Sequence, residues 1–128
     1  MRTLLVASSL LLGFFGVALG AFGAHAIKAE VTPQMLEVWK TAVSYQMYHS
    51  IFLFALAVLA YPRGGRLITS ACLCLLAGVV VFSGSLYCLV WFNMPRLGMV
   101  TPIGGSLLLL AWLLALITAV KQKIPSPN

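Results

Sequence analysis

Leu67–Phe92 reads LITSACLCLLAGVVVFSGSLYCLVWF, 26 consecutive residues without an acid or a base. Crossing a bilayer core of about 30 Å takes roughly 20 apolar residues at 1.5 Å of helical rise each, so this run suffices by itself. Within hydrocarbon, a helix satisfies its own backbone polar groups, and the stretch lacks the two-residue alternation of a barrel strand. Working outward, Leu4–Ala24, Trp39–Tyr61 and Ile103–Val120 are three further apolar stretches of comparable length. The sequence predicts an all-α fold: a four-helix transmembrane bundle, antiparallel, with short connections, forming one integral membrane domain over residues 1–128.

Composition agrees. Apolar residues make up 62% of the chain and charged residues 8%, against roughly 45–50% and about 25% in soluble domains. The net charge of +6 comes from eight Lys and Arg against Glu30 and Glu37. These cations sit singly or in pairs between apolar runs rather than clustered on one surface, which excludes nucleic acid as a partner and leaves membrane lipid. Arg2, Arg63, Arg66, Lys121 and Lys123 fall on one side of the predicted bundle, and Lys28, Lys40 and Arg96 on the other. The richer side is expected to face the cytoplasm, with both termini there. Cys72, Cys74 and Cys88 share one apolar run, where disulfides and a shared metal are not expected.

The first stretch has features of a signal peptide: Arg2, an apolar core, and Ala24-His25-Ala26 as a small-residue cleavage site. Its apolar run exceeds the roughly 7–15 residues of such a core, so an uncleaved helix is expected. Pro62-Arg63-Gly64-Gly65-Arg66 and Asn93-Met94-Pro95-Arg96-Leu97-Gly98 are predicted turns. Thr32-Pro33 and Thr101-Pro102 each place a capping hydroxyl before a proline at a helix start. Trp39, Tyr61, Tyr87 and Trp91 lie near span ends, as interfacial aromatics do.

Gly13, Gly16, Gly20 and Gly23 are spaced three, four and three apart, which lines them along one face of the first helix. Lipid does not press helices together, so close backbone approach matters more, and this face predicts a helix enclosed by its neighbours. Gly78 and Ser85 on the third helix offer a small-residue face complementary to it.

Polar side chains in hydrocarbon need partners, which makes them functional pointers. Tyr45, Gln46 and His49 share one turn, Ser83, Ser85 and Trp112 come to similar depths, and His25 and Glu30 mark the outer end of the first helix. Two readings fit. One is an outward-opening pocket around His49; the other is a hydrogen-bond network that fixes helix packing. No metal site is expected, because His25 and His49 differ in depth by two turns or more. Nor is an enzyme, since no acid lies in reach to orient a pairing of His49 with Ser44, Ser83 or Ser85.

Gly20-Ala21-Phe22-Gly23-Ala24-His25-Ala26, the Trp39, Ala42, Tyr45-Gln46, His49 series, Phe82-Ser83-Gly84-Ser85-Leu86-Tyr87, and Thr101-Pro102-Ile103-Gly104-Gly105 with Trp112 run in order along nearly the whole chain. With these segments the chain resembles the YgdD-like family of small bacterial inner-membrane proteins, and the eukaryotic transmembrane protein 256 looks like a relative. The resemblance implies a four-span membrane protein with no catalytic assignment and no cofactor. The expected role is association in the membrane, with a second copy as a homo-oligomer or with a larger membrane complex. The alternatives are a small-solute or proton pathway, or a lipid or quinone binder, both using the pocket around His49.

Overall fold

The computed structural model describes the backbone of residues 1–123, and the side chains of these except 61–64, 122 and 123. Expectations for the side chains of Tyr61, Arg63 and Lys123 lie outside the described residues. Among the described residues, four segments are long and apolar enough to cross a membrane: α1 (Arg2–Glu30), α2 (Pro33–Ala60), α3 (Gly65–Trp91), and a fourth over Pro95–Lys121. The last consists of a 3-10 turn, Pro95–Met99, followed by α4, Thr101–Lys123.

The connections follow from local chemistry. Extended backbone at Val31 and Thr32 separates α1 from α2. The Thr32 hydroxyl accepts from the Met35 N–H at 3.3 Å, the cap that Thr32-Pro33 predicts. Between α2 and α3 the reversal is sharper than the predicted five-residue turn, because residues 61–64 keep helical backbone and Gly65 alone leaves it, at φ 55° and ψ −147°. A residue with a Cβ is strained there. α3 ends on Asn93 in the left-handed region, φ 50°, with Met94 N–H bonded to the Leu89 carbonyl. Thr101 does not act as the predicted cap. Its hydroxyl lies 2.8 Å from the Ser85 hydroxyl and donates to the Leu97 carbonyl at 3.4 Å.

Two π-helical turns interrupt the regular helices, Gly23–Ile27 in α1 and Leu56–Ala60 in α2. α1 therefore continues past its expected end at Ala24, and Ala24-His25-Ala26 sits inside a continuous helix. At the second π turn, the Arg2 guanidinium donates to the carbonyls of Ala57 at 3.1 Å and Val58 at 3.2 Å. A cation thus satisfies carbonyls near the C-terminal end of α2 and ties the start of α1 to it.

The glycine face of α1 seats on α2 as the spacing predicts. A Cβ at Gly13 would meet Ser50 at 3.6 Å, at Gly16 Met47 at 2.6 Å, at Gly20 Val43 at 3.3 Å, and at Gly23 Trp39 at 2.5 Å. The pairs run antiparallel in a single register. The expectation of enclosure is corrected, however: Leu4, Leu10, Leu11, Phe14, Phe15 and Val17 are all more than half exposed. α1 lies at the edge of the bundle because its small residues occupy one face and bulky apolar residues the rest. The small-residue face of α3 likewise serves α4 and not α1. A Cβ on Gly78 would meet Leu108 at 2.7 Å, and one on Gly104 would come within 2.7 Å of the Phe82 Cα.

Two apolar clusters fill the interior. One gathers Leu5, Leu53, Ile68, Ala71, Leu75 and Ala111 from all four helices; the other gathers Ile27, Trp39, Leu89 and Val90 at the opposite end. Between them runs a belt of buried polar side chains.

Candidate functional site

The belt starts with Gln46, which is 4% exposed and faces both α1 and α3. Its amide nitrogen donates to the Leu12 carbonyl at 2.7 Å, and its amide oxygen accepts from the Tyr87 hydroxyl at 2.8 Å. A helical carbonyl at position i is covered by the side chain at i+4, and four residues after Leu12 stands Gly16. The same arrangement recurs seven residues along each helix. The Trp39 indole N–H donates to the Leu19 carbonyl at 2.9 Å, and Gly23, four after Leu19, makes room for the ring. Trp39 is 2% exposed and packs on Tyr87 with ring centroids 4.8 Å apart. Neither Trp39 nor Tyr87 is therefore an interfacial belt residue as predicted, whereas Trp91, half exposed, is placed as one would be.

His49 anchors a second group. Its Nδ1 lies 2.7 Å from the Tyr45 carbonyl one turn back, and the Trp112 indole N–H donates to its Nε2 at 3.3 Å. Both contacts are satisfied together when the imidazole is neutral with its hydrogen on Nδ1. Trp112 stacks on Phe52 at 3.8 Å between centroids, and Tyr45 stacks on Phe82 at 4.3 Å. Tyr45, His49, Phe82 and Trp112 wall a groove of about 650 Å³ between α2, α3 and α4, lined also by Tyr48, Gly105 and Ser106. Among the described residues, no carboxylate lines it. Tyr45 and Tyr48 are 39% and 68% exposed. Neither phenol hydroxyl has a hydrogen-bond partner among the described residues.

The remaining residues of the predicted pocket lie elsewhere. The Ser83 hydroxyl donates to the Ala42 carbonyl at 2.8 Å and locks α3 to α2. Ser85, two residues on, points to α4 and Thr101. His25 is exposed in the π turn of α1 and is not among the groove residues. One expected pocket thus resolves into a groove (Tyr45, His49, Trp112), a crosslink through Gln46, and two serine ties. Phe52, Tyr48, Tyr87 and Gly104 were not singled out from sequence as site or packing residues. A glycine four residues after an uncovered carbonyl is the signal that would have linked Gly16 to Gln46.

Four apolar helices, joined by tight turns and cross-tied by side chain to carbonyl bonds, define a small multi-pass membrane protein. Comparison with known proteins carries this further. Residues 19–105 match the family described as protein of unknown function (DUF423). The chain is 42% identical over 106 residues to the UPF0382 membrane protein YwdK of Bacillus subtilis, covering 82% of this chain and 86% of the relative. To the UPF0382 inner membrane protein YgdD of Escherichia coli K12 it is 37% identical over 111 residues, covering 87% and 85%. To the UPF0382 membrane protein SAB0533 of Staphylococcus aureus it is 38% identical over 105 residues, covering 82% and 85%. No solved structure matches the chain. The chain belongs to the DUF423 family, in agreement with the YgdD-like resemblance of its motifs, and the family's biochemical role is not established. The matched region takes in Gly20, Gly23, His25, Tyr45, Gln46, His49, Ser83 and Ser85 and ends before Trp112.

Proposed function

We propose that the protein is a non-enzymatic membrane component that holds an amphiphile, a lipid or a quinone-like molecule, in the groove beside His49. The carrying observation is the groove's lining: Tyr45 and Tyr48, phenols without a hydrogen-bond partner among the described residues, stand beside the rings of Phe82 and Trp112. A hydroxyl in hydrocarbon wants a partner, and the aromatic wall offers flat apolar surface for the rest of a ligand. His49, engaged at both ring nitrogens, serves as a fixed part of that wall. The groove is lined by the exposed Tyr48, Leu109 and Trp112, while the buried Leu53, Ile68, Ala71 and Leu75 fill the interior at one end. That favours lateral binding over a solute or proton pathway.

Gly105 supplies the test. A Cβ there would sit 3.8 Å from the Phe82 ring, an ordinary contact, so Gly105→Leu fills the groove without disturbing the backbone. Lipid and quinone extracted from purified protein are expected to fall in Gly105→Leu and in the double variant Tyr45→Phe/Tyr48→Phe, with helicity kept. Equal content in all three proteins would defeat the proposal.

A second reading, association with another copy or a larger complex, draws on the edge position of α1. Its bulky exposed face adjoins a groove of about 570 Å³ lined by Ser9, Gly13, Phe14, Met47, Ser50 and Ile51. Crosslinking through a cysteine at Phe14 would favour it; a monomer at every expression level would not. Both readings take the termini to be cytoplasmic on the distribution of Lys and Arg, which reporter fusions at each end would check.

A further inference from the structure

Two cavities flank the junction of α1 and α2 on opposite sides. One, of about 410 Å³, is lined by Lys28 and Lys40. The other, of about 480 Å³, is lined by Glu30, Phe22, Trp91, Met35 and Asn93. Residues two apart on a helix point to different faces, so Lys28 and Glu30 divide between the two sides. The π-helical turn Gly23–Ile27 just before them resets which face the following residues present, as π turns at functional sites often do.

We infer that the cavity holding Glu30 is a binding site for an organic ammonium group. Phe22 and Trp91 form one wall, their centroids 5.3 Å apart and their planes at 26°. Trp91 is also backed by Trp39, at 6.2 Å, which the Leu19 carbonyl fixes in place. With Trp91 51% exposed, part of its surface stays open. The Glu30 carboxylate makes no ion pair among the described residues, in contrast to Glu37, which pairs with Lys40 at 2.7 Å. Glu30, Trp91 and Asn93 around one cavity are the residue types an alkylated or primary ammonium needs, able to supply a counter-charge, a π-system and an amide acceptor. A divalent metal ion would want several oxygen ligands, and an anion would meet the carboxylate. The cavity lies where α1 and α3 end and α2 begins, the depth at which bilayer-spanning helices meet headgroups, so the ammonium belongs either to a lipid headgroup or to a small free cation.

The test uses the full chain in detergent micelles, titrated with tetramethylammonium chloride against sodium chloride at equal ionic strength. Broadening of the ligand's methyl proton signal reports binding. Saturable binding is expected for tetramethylammonium, weakened about tenfold or more by Glu30→Gln and by Trp91→Leu. Glu37→Gln is expected to leave it within about twofold, since that exposed carboxylate lies outside the cavity. Circular dichroism checks that each variant keeps its helices. In nanodiscs of equal ethanolamine- and glycerol-headgroup phospholipids, native mass spectrometry separates the sources. Enrichment of the ethanolamine lipid that Glu30→Gln abolishes assigns a headgroup, whereas tetramethylammonium binding without enrichment assigns a free cation. Absence of both, or equal affinity in Glu30→Gln, overturns the inference.

Discussion

The Gln46 amide donates to the Leu12 carbonyl, at 2.7 Å, across an interface that Gly16 keeps open: a Cβ at Gly16 would lie 3.6 Å from the donating nitrogen and 2.6 Å from Met47 Sδ. The hydrogen bond and the glycine are one device. Close approach exposes the carbonyl, and the carbonyl gives the buried amide its partner.

Alanine at each interface glycine is expected to cost stability in a graded order. Gly104→Ala should be the most damaging, by about 1–3 kcal/mol, because its Cβ runs into Phe82 backbone. Gly23→Ala follows, against the rigid Trp39 ring, then Gly16→Ala, where Met47 can swing aside. Gly13→Ala meets only ordinary contact and should be neutral or stabilising by up to about 1 kcal/mol. Unfolding in mixed micelles with a denaturing detergent would read the series, and a flat response would remove the packing argument.

Removing Gln46 should hurt more than removing the group it accepts from. Gln46→Leu leaves the half-buried Tyr87 hydroxyl without its acceptor, at a cost of about 1–3 kcal/mol. Tyr87→Phe removes both the donor and the need. A double-mutant cycle between the two should give a coupling of about 0.6 kcal/mol, the average for such bonds in membranes. Strict additivity would mean the bond does not form.

Much of the fold can be read from the sequence because length and hydropathy state it directly. Four long apolar runs admit four helices, and Thr32-Pro33 marks a helix start that the structure keeps. The glycine spacing also transfers, since it specifies a face without needing to know the partner. Rotation about each helix axis is harder. In lipid the outer face of a helix is as apolar as the inner one, so no contrast separates Trp39, 2% exposed, from Trp91, 51% exposed. The pocket expected around His49 mixed residues of equal depth but different azimuth, which is why Ser83 and Ser85 turned to separate partners. Tyr87 found Gln46 across 41 residues of sequence, a pairing set by helix order that no local pattern encodes.

The imidazole of His49 should be the tautomer protonated at Nδ1, the form that donates to Tyr45 and accepts from Trp112. Nitrogen NMR of histidine-labelled protein in micelles would distinguish Nδ1–H from Nε2–H by chemical shift. Trp112→Phe keeps the stack on Phe52 and should move the Nε2 resonance alone. A dominant Nε2–H form would break both hydrogen bonds.

Arg2 is expected to hold the start of α1 against the π turn of α2. Arg2→Ala removes its bonds to Ala57 and Val58 and should speed amide hydrogen exchange in the first turn of α1 and at residues 57–60. Arg2→Lys keeps a cation near the helix end and should recover part of that protection, a difference of about 0.3–1 kcal/mol. Unchanged exchange in Arg2→Ala would mean the contact is not formed in the membrane.

The register of α1 on α2 carries the rest of the architecture, and disulfide crosslinking in native membranes tests it most directly. With Cys72, Cys74 and Cys88 replaced by Ala or Ser, cysteines are introduced at Gly20 and Val43, where a Cβ on one meets the Val43 methyl at 3.3 Å. Rapid crosslinking within one chain is expected for that pair, and none for Ala21→Cys with Val43→Cys, since Ala21 is exposed and turned about 100° from Gly20 around the helix. Crosslinking of the second pair in preference to the first would contradict a glycine face seated on α2.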